Sequence, residues 1–464
     1  MTTAALPTTL PIPHDGAGDI EHWLKSRGVT EVECMIPDIA GIPRGKILPT
    51  RKFLSTLAGG ALRLPESVYG QLVTGDMADS PVISETEPDI TLVPDPTSIR
   101  IVPWYEEPTA QVICDAIYHD GAPVTLASRH VLRRVLNFYA AQGWEPVIAP
   151  ELEFFLAKTN PDPDYPLEPP VGRSGRPESG RQSYGIDVVN EFDPLFEDMY
   201  DFCDAQGIDI DTLTHESGIA QVEINFNHGE ALALADQVFL FKRTVRQAAL
   251  KHGVYATFMA KPYEHEPGSA MHIHQNVIDV RTGCNLFADP QTNADSSQFH
   301  AHIAGMQKHM PAAMALFAPY VNSYRRVLKY FSAPINTHWG HENRTVGLRV
   351  PHSGPAARRV ENRVPGADAN PYLAIAASLA CGYLGILQGL TPTMPVGGSA
   401  YELESYALPR HLLHALDLMR QSDALHEILG RDFVSLFLDV KGEEHDAYQQ
   451  VISPWEREHL LLNV

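Results

Sequence analysis

Four short stretches of the chain alternate apolar residues with acids, imidazoles, amides or guanidinium groups at a period of two. They are Glu151-Leu152-Glu153, Gln221-Val222-Glu223-Ile224-Asn225, Met271-His272-Ile273-His274 and Arg359-Val360-Glu361-Asn362-Arg363. A β-strand turns successive side chains to opposite faces, so residues two apart look the same way. Each stretch, read as a strand, therefore carries a pair or trio of polar groups on one side. Placed in one curved sheet, the four present carboxylates, two imidazoles and several guanidinium groups to one cavity. Carboxylate oxygens suit hard divalent cations, and guanidinium groups grip phosphoryl oxygens. That composition points to a nucleotide-using enzyme.

Each group has an alternative in isolation. Glu151 and Glu153 lie in the apolar run GWEPVIAPELEFFLA. On a solvated face they need no ligand; in a buried strand two carboxylates repel and lose hydration, and a cation is the natural compensation. Glu216 and Glu223, in THESGIAQVEINFN, fit either a metal site or an ordinary amphipathic strand after a turn. His272 and His274 serve metal or phosphate binding, or form a structural pair. Arg326, Arg344, Arg349, Arg359 and Arg363 fall close together in the chain, although a surface ion pair explains any one of them alone.

The elements that must position these groups are legible in part. At 464 residues the chain divides into two domains, one of them large. Residues 31–117 read as short strands and turns: a hairpin around Ala40-Gly41, a short helix at 51–57, and strands at TLVPD and AQVICDAI. After Thr125 amphipathic helices alternate with strands. Val131, Leu132, Val135, Leu136 and Tyr139 share one helical face; Asp193-Pro194 caps a second helix that stops at Gly207; a third spans 230–253, followed by the strand GVYATFMAKP. Beyond Asn370 the pattern is almost wholly helical. Residues 159–185 are crowded with Pro, Gly and Ser and form either a functional or a disordered loop.

Composition excludes several classes. A formal charge of -22 argues against nucleic acid or an anionic membrane surface as partner. The five scattered cysteines preclude a full disulfide framework and point to the reducing cytoplasm. Residues 1–16 lack the basic and long apolar regions of a secretory signal and read as a frayed arm. Residues 369–400 carry no charge, but Asn370-Pro371 opens them as a capped helix of a soluble core.

The motifs PELEFF, HESGIAQVE, GSAMHIH, NSYRR, NRTVGLRVP and RRVENRVPGADANPYL occur in this order. Together they resemble the signature set of the glutamine synthetase family, from about Glu31 to the C-terminus. The resemblance implies an α+β fold with a small β-grasp domain, placed at 17–119, and a catalytic domain at 125–464 built on a curved antiparallel sheet with surrounding helices. It implies a homo-oligomer of two stacked hexameric rings, a dodecamer, with active sites between neighbouring subunits. Glu153, Glu216 and Glu223 then look like ligands of one metal, and Glu151, His272 and Glu361 of the other. The ions would be two to three Mg2+, replaceable by Mn2+. Arg344, Arg349 and Arg359, with His274 and Asn276, resemble the ATP-binding set, Arg344 and Arg349 acting in catalysis. Gly268, His272, Arg326 and Arg363 resemble the glutamate-binding set.

Three departures strike the ammonium pocket of that family. Where a flap glutamate is expected, the run is Tyr330-Phe331-Ser332-Ala333-Pro334. The neighbouring subunit's aspartate is replaced in Leu64-Pro65-Glu66-Ser67-Val68, leaving Glu66 as the carboxylate, and Pro267 stands for an asparagine. Both sets of metal ligands survive. A cage weakened for ammonium at Ser332 and Glu66 would admit an alkylamine, a pattern similar to the γ-glutamylpolyamine and γ-glutamyl-monoamine ligases. The alternatives are an ammonium-using glutamine synthetase with Glu66 as base, and a non-catalytic ring.

Overall fold

The computed structural model describes residues 17–178, 180–329, 333–403, 405 and 407–464. The expected arm at 1–16 and the flap position Ser332 lie outside them. Two sheets organise the chain. The first has six strands, in the order Pro43–Pro49, Glu31–Pro37, Thr109–Ile117, Asp89–Pro94 and Arg63–Pro65, with Arg100–Val102 also on Thr109–Ile117. The hairpin expected at Ala40-Gly41 joins the first two: Gly41 takes φ 77, and Asp38 Oδ1 accepts from the Ile42 amide at 2.8 Å. A helix at Ala17–Ser26 precedes this sheet and was not foreseen.

The second sheet has ten strands and carries the chemistry. Its main path runs Trp339–His341, Leu348–Val350, Val360–Asn362, Met271–Asp279, Trp144–Lys158, Gln221–Phe226 and Ile210–His215. All these neighbours are antiparallel, as expected of the curved sheet, except Trp339–His341 and Leu348–Val350, which run parallel.

Helices Ser128–Ala140, Ala231–Lys251 and Ser297–Phe317 surround the helix Pro371–Leu387. That helix is buried on nearly every side, which is why its sequence carries no charge. Asn370 caps it: its side-chain oxygen accepts from the amides of Tyr372 and Leu373 while its amide nitrogen donates to the Asp38 and Ile39 carbonyls of the first sheet's hairpin. The crossing with Ser297–Phe317 depends on glycine. A Cβ on Gly385 would meet the Ala301 carbonyl at 2.1 Å and Gly305 Cα at 2.5 Å. No helix among the described residues is long and apolar enough to cross a membrane.

Several boundaries differ from expectation. Asp193 begins its helix without capping it, because the chain arrives from the turn Asn190–Phe192; Gly207 closes the helix in the left-handed conformation as expected. The strand in GVYATFMAKP is only Val254–Thr257. Among the described residues no α-helix forms between Leu387 and Leu412, against the expectation of near-continuous helix. Pro392, Pro395, Gly397 and Gly398 break it, and the segment instead lies beside Trp339, with Val396 N donating to Trp339 O at 2.8 Å. The loop 159–185 is tied to its surroundings by backbone hydrogen bonds: Arg173 N donates to Glu191 O at 3.0 Å and Tyr184 N to His215 O at 2.9 Å.

Candidate active site

Register decides which side chains meet. Glu151 pairs with His272 on one side and Asn225 on the other, Glu153 lies opposite Glu223, and Glu361 lies between His274 and Arg349. With a side-chain period of two, all these residues share one face. Glu151, Glu153, Glu223, His272 and Arg349 open on a cavity of about 530 Å³, lined also by Glu216, by Arg326, Arg344 and Arg363 and by the Pro267-Gly268 loop, whereas Glu361 and His274 lie outside its lining.

The glutamates are not equivalent. Glu361 is fully buried, receives Arg349 at 2.6 Å and is hydrogen-bonded to Arg363. Burial opposes its ionisation, but Arg363 and the nearby histidines outweigh that and hold its carboxyl at about 2. Glu151 behaves alike: against burial, His272 at 3.3 Å and His274 at 2.8 Å keep it well below the usual carboxylate range. Glu153 is pushed the other way, to about 8, by burial and then by Glu216. Glu223 is pushed to about 9 by burial and by Glu151, Glu153 and Glu216, and Glu216 is raised chiefly by burial. His272 falls to about 4 through burial and the charge of Arg363, so it stays a neutral imidazole.

Metal-sized groupings occur at two places among the described residues, Glu151 with His274 and Glu361, and Glu151 with Glu223 and His272, each with ligand atoms within 4.8 Å of one another. The expected set Glu151, His272 and Glu361 is drawn together, His272 Nδ1 lying 3.8 Å from Glu361. Glu153, Glu216 and Glu223 face one cavity but form no such tight group. This donor set, oxygen-rich with imidazole and carrying excess negative charge on one side, fits hard divalent cations.

The expected ATP set divides. Arg344 and Arg349 line the cavity, whereas His274, Asn276 and Arg359 lie outside its wall. His274 bridges Glu151 to Arg359, whose Nε donates to its Nδ1 at 3.1 Å. Asn276 follows on the same strand face, its Oδ1 buried without a hydrogen bond. Arg326 donates to the Val364 and Arg363 carbonyls, locking the two expected glutamate-binding arginines together. Glu66 is buried, accepts from the Tyr118 hydroxyl at 2.7 Å and does not reach the cavity of its own chain. Sequence reasoning missed Tyr184, Thr214, Ser217 and Tyr401, which also line it. Tyr184 belongs to the Pro/Gly-rich loop, flagged without any spacing to single it out, and takes φ 62.

A pH consequence follows from Glu153 and Glu223. Metal-free, they keep protons far above the range of an unfolded carboxyl, so the folded state binds more protons and stability falls as pH rises from about 5 towards 9. Mn2+ added near pH 7.5 is expected to release about one to two protons and to flatten that decline. Calorimetry in buffers of different ionisation enthalpy reads the release; no proton release removes the carboxylate assignment.

Residues 125–460 match the model of the glutamine synthetase catalytic domain. The chain is 36% identical over 455 residues to gamma-glutamylputrescine synthetase PuuA of Escherichia coli (strain K12), covering 96% of this chain and 94% of that one. It is 32% identical over 450 residues to glutamate--isopropylamine ligase of a Pseudomonas species, covering 94% and 96%. The solved structure of GmaS without ligand superposes with a TM-score of 0.81 at 27% identity, over 95% of this chain and 98% of that chain. The carboxylate–imidazole face, the arginine wall and these likenesses agree: the chain belongs to the glutamine synthetase family and is an ATP-dependent ligase of the glutamate–ammonia/amine type.

Proposed function

We propose that this ligase joins the γ-carboxylate of glutamate to an organic amine, putrescine or another polyamine or a small monoamine, through γ-glutamyl phosphate. One observation carries the reading. Glu151, Glu153, Glu216 and Glu223 meet Arg326, Arg344, Arg349 and Arg363 on one cavity, while the wall at Pro267 offers no side-chain hydrogen-bonding group where the family pattern carries an asparagine. The relatives named for putrescine and isopropylamine support it.

In this reading Arg326 and Arg363 hold glutamate, and its γ-carboxylate attacks the terminal phosphorus of ATP as the bond to ADP breaks. Arg344 and Arg349 face the charge that spreads over the phosphoryl oxygens. Two to three Mg2+ or Mn2+ ions, held by Glu151, Glu153, Glu216, Glu223, His272 and Glu361, would supply Lewis acidity when bound. The amine nitrogen then attacks the acyl carbon, gives up a proton, and phosphate leaves.

We assign the chain to a homo-oligomer, a dodecamer, in which Glu66 reaches a neighbour's cavity. The exposed apolar C-terminal run, with Trp455 at 62% and Leu462 at 90% exposure, supports burial against another copy. The cysteines form no disulfide, in keeping with the cytoplasm. Phosphate release with glutamate, ATP and an amine panel tests the function. Turnover is expected to be faster with putrescine or a monoamine than with ammonium; ammonium exceeding every organic amine overturns the proposal in favour of an ordinary glutamine synthetase.

A further inference from the structure

The loop 159–185 has no part in the chemistry above, yet one of its acids reaches the turn that carries Glu216. Glu178 Oε2 accepts from the Ala220 amide at 2.7 Å and lies 3.1 Å from His215 Nε2. Both side chains are nearly buried, at 10% and 2% exposure. Ala220 takes φ 54, a left-handed conformation that costs energy for a residue with a Cβ and persists where its surroundings hold it. Glu178 supplies that hold.

The same turn is tied to the cavity wall. Tyr184 N donates to His215 O at 2.9 Å, and the Ser183 and Ser217 hydroxyls are 3.1 Å apart. Ile219 N donates to Glu266 Oε2 at 3.2 Å, next to the Pro267-Gly268 loop. Three wall elements therefore meet at residues 215–220: the Glu216 carboxylate, the Tyr184 ring and the loop before the histidines. The contact between Glu178 and His215 is a buried side-chain link among them.

We infer that Glu178 is a positioning residue: it fixes the turn bearing Glu216 against the wall bearing Tyr184, so that the cation seat and this part of the cavity wall move as one unit. The inference rests on the proposed role of Glu216 as a metal ligand. Outer partners that orient metal ligands commonly affect metal affinity by about 10- to 100-fold. Glu178→Ala is therefore expected to weaken Mn2+ binding by about 10-fold and to raise the amine KM more than it lowers kcat. Glu178→Gln keeps an oxygen for the Ala220 amide and should restore most of both.

The test is Mn2+ titration of the purified full chain by electron paramagnetic resonance, with hydrogen exchange across 178–185 and 215–221 and a thermal melt. Faster exchange in both segments of Glu178→Ala, with weaker Mn2+ binding and recovery in Glu178→Gln, is the expected result. Unchanged Mn2+ affinity overturns the inference, whether activity holds or falls together with Tm, since a general structural role would produce the latter. Glu216→Ala is the control. If it leaves Mn2+ binding intact, the metal assignment itself fails; if it weakens binding and Glu178→Ala does not, only the positioning role fails.

Discussion

Glu361→Gln is expected to lower glutamate-dependent phosphate release by roughly 10³-fold, the scale seen when one preorganised charge-stabilising group is removed from an active site. Glu361 is the point where the two halves of the face are joined. It accepts from Arg349 and Arg363 and stands 3.8 Å from His272 Nδ1, so under the proposed assignments its loss disturbs the groups meant for phosphate, for glutamate and for the cation together. Glu361→Ala should go further. Arg363 would be left buried beside a lost counter-charge, at a cost on the order of 3–5 kcal/mol. Activity and Tm of both variants check this; a Glu361→Gln enzyme within 10-fold of the parent would remove Glu361 from the chemistry.

The second large effect concerns substrate choice. Ser332→Glu restores a carboxylate where ammonium-using members of the family carry one, and Ala333 beside it lines the cavity. A positioned general base contributes about 10²–10⁴-fold to proton-transfer steps. A gain of about 10²-fold in kcat/KM for ammonium is therefore expected, accompanied by a loss for alkylamines. The ratio of the two kcat/KM values decides it. An unchanged ratio would mean that amine selection lies elsewhere.

The sequence revealed the parts of the site that sit on strands. Glu151 with Glu153, Gln221 through Asn225, and His272 with His274 lie on Trp144–Lys158, Gln221–Phe226 and Met271–Asp279, where a period of two survives into three dimensions. The fourth stretch was harder: only Val360–Asn362 is strand, so Arg359 and Arg363 leave the ladder and part company, one towards His274 and the other to the cavity. Glu178 and Tyr184 could not be read because their roles depend on contacts with residues 215–220, far along the chain, and loops carry no periodicity. The missing helix after Leu387 is instructive in another way. Apolar composition suggested helix, whereas four Pro and Gly residues and the edge at Trp339 decided otherwise.

The encased helix Pro371–Leu387 bears on how the chain is made. It leaves the ribosome after three of the helices that pack on it and before a fourth, Asp423–Leu429, as a sticky uncharged segment whose slot is not complete until that later helix follows. Until that slot exists, the segment's uncharged surface faces water and is exposed to aggregation. Docking it also ties the Asp38 hairpin to the catalytic sheet through Asn370, making completion of the catalytic half and capture of the amino-terminal half parts of the same late event in biogenesis.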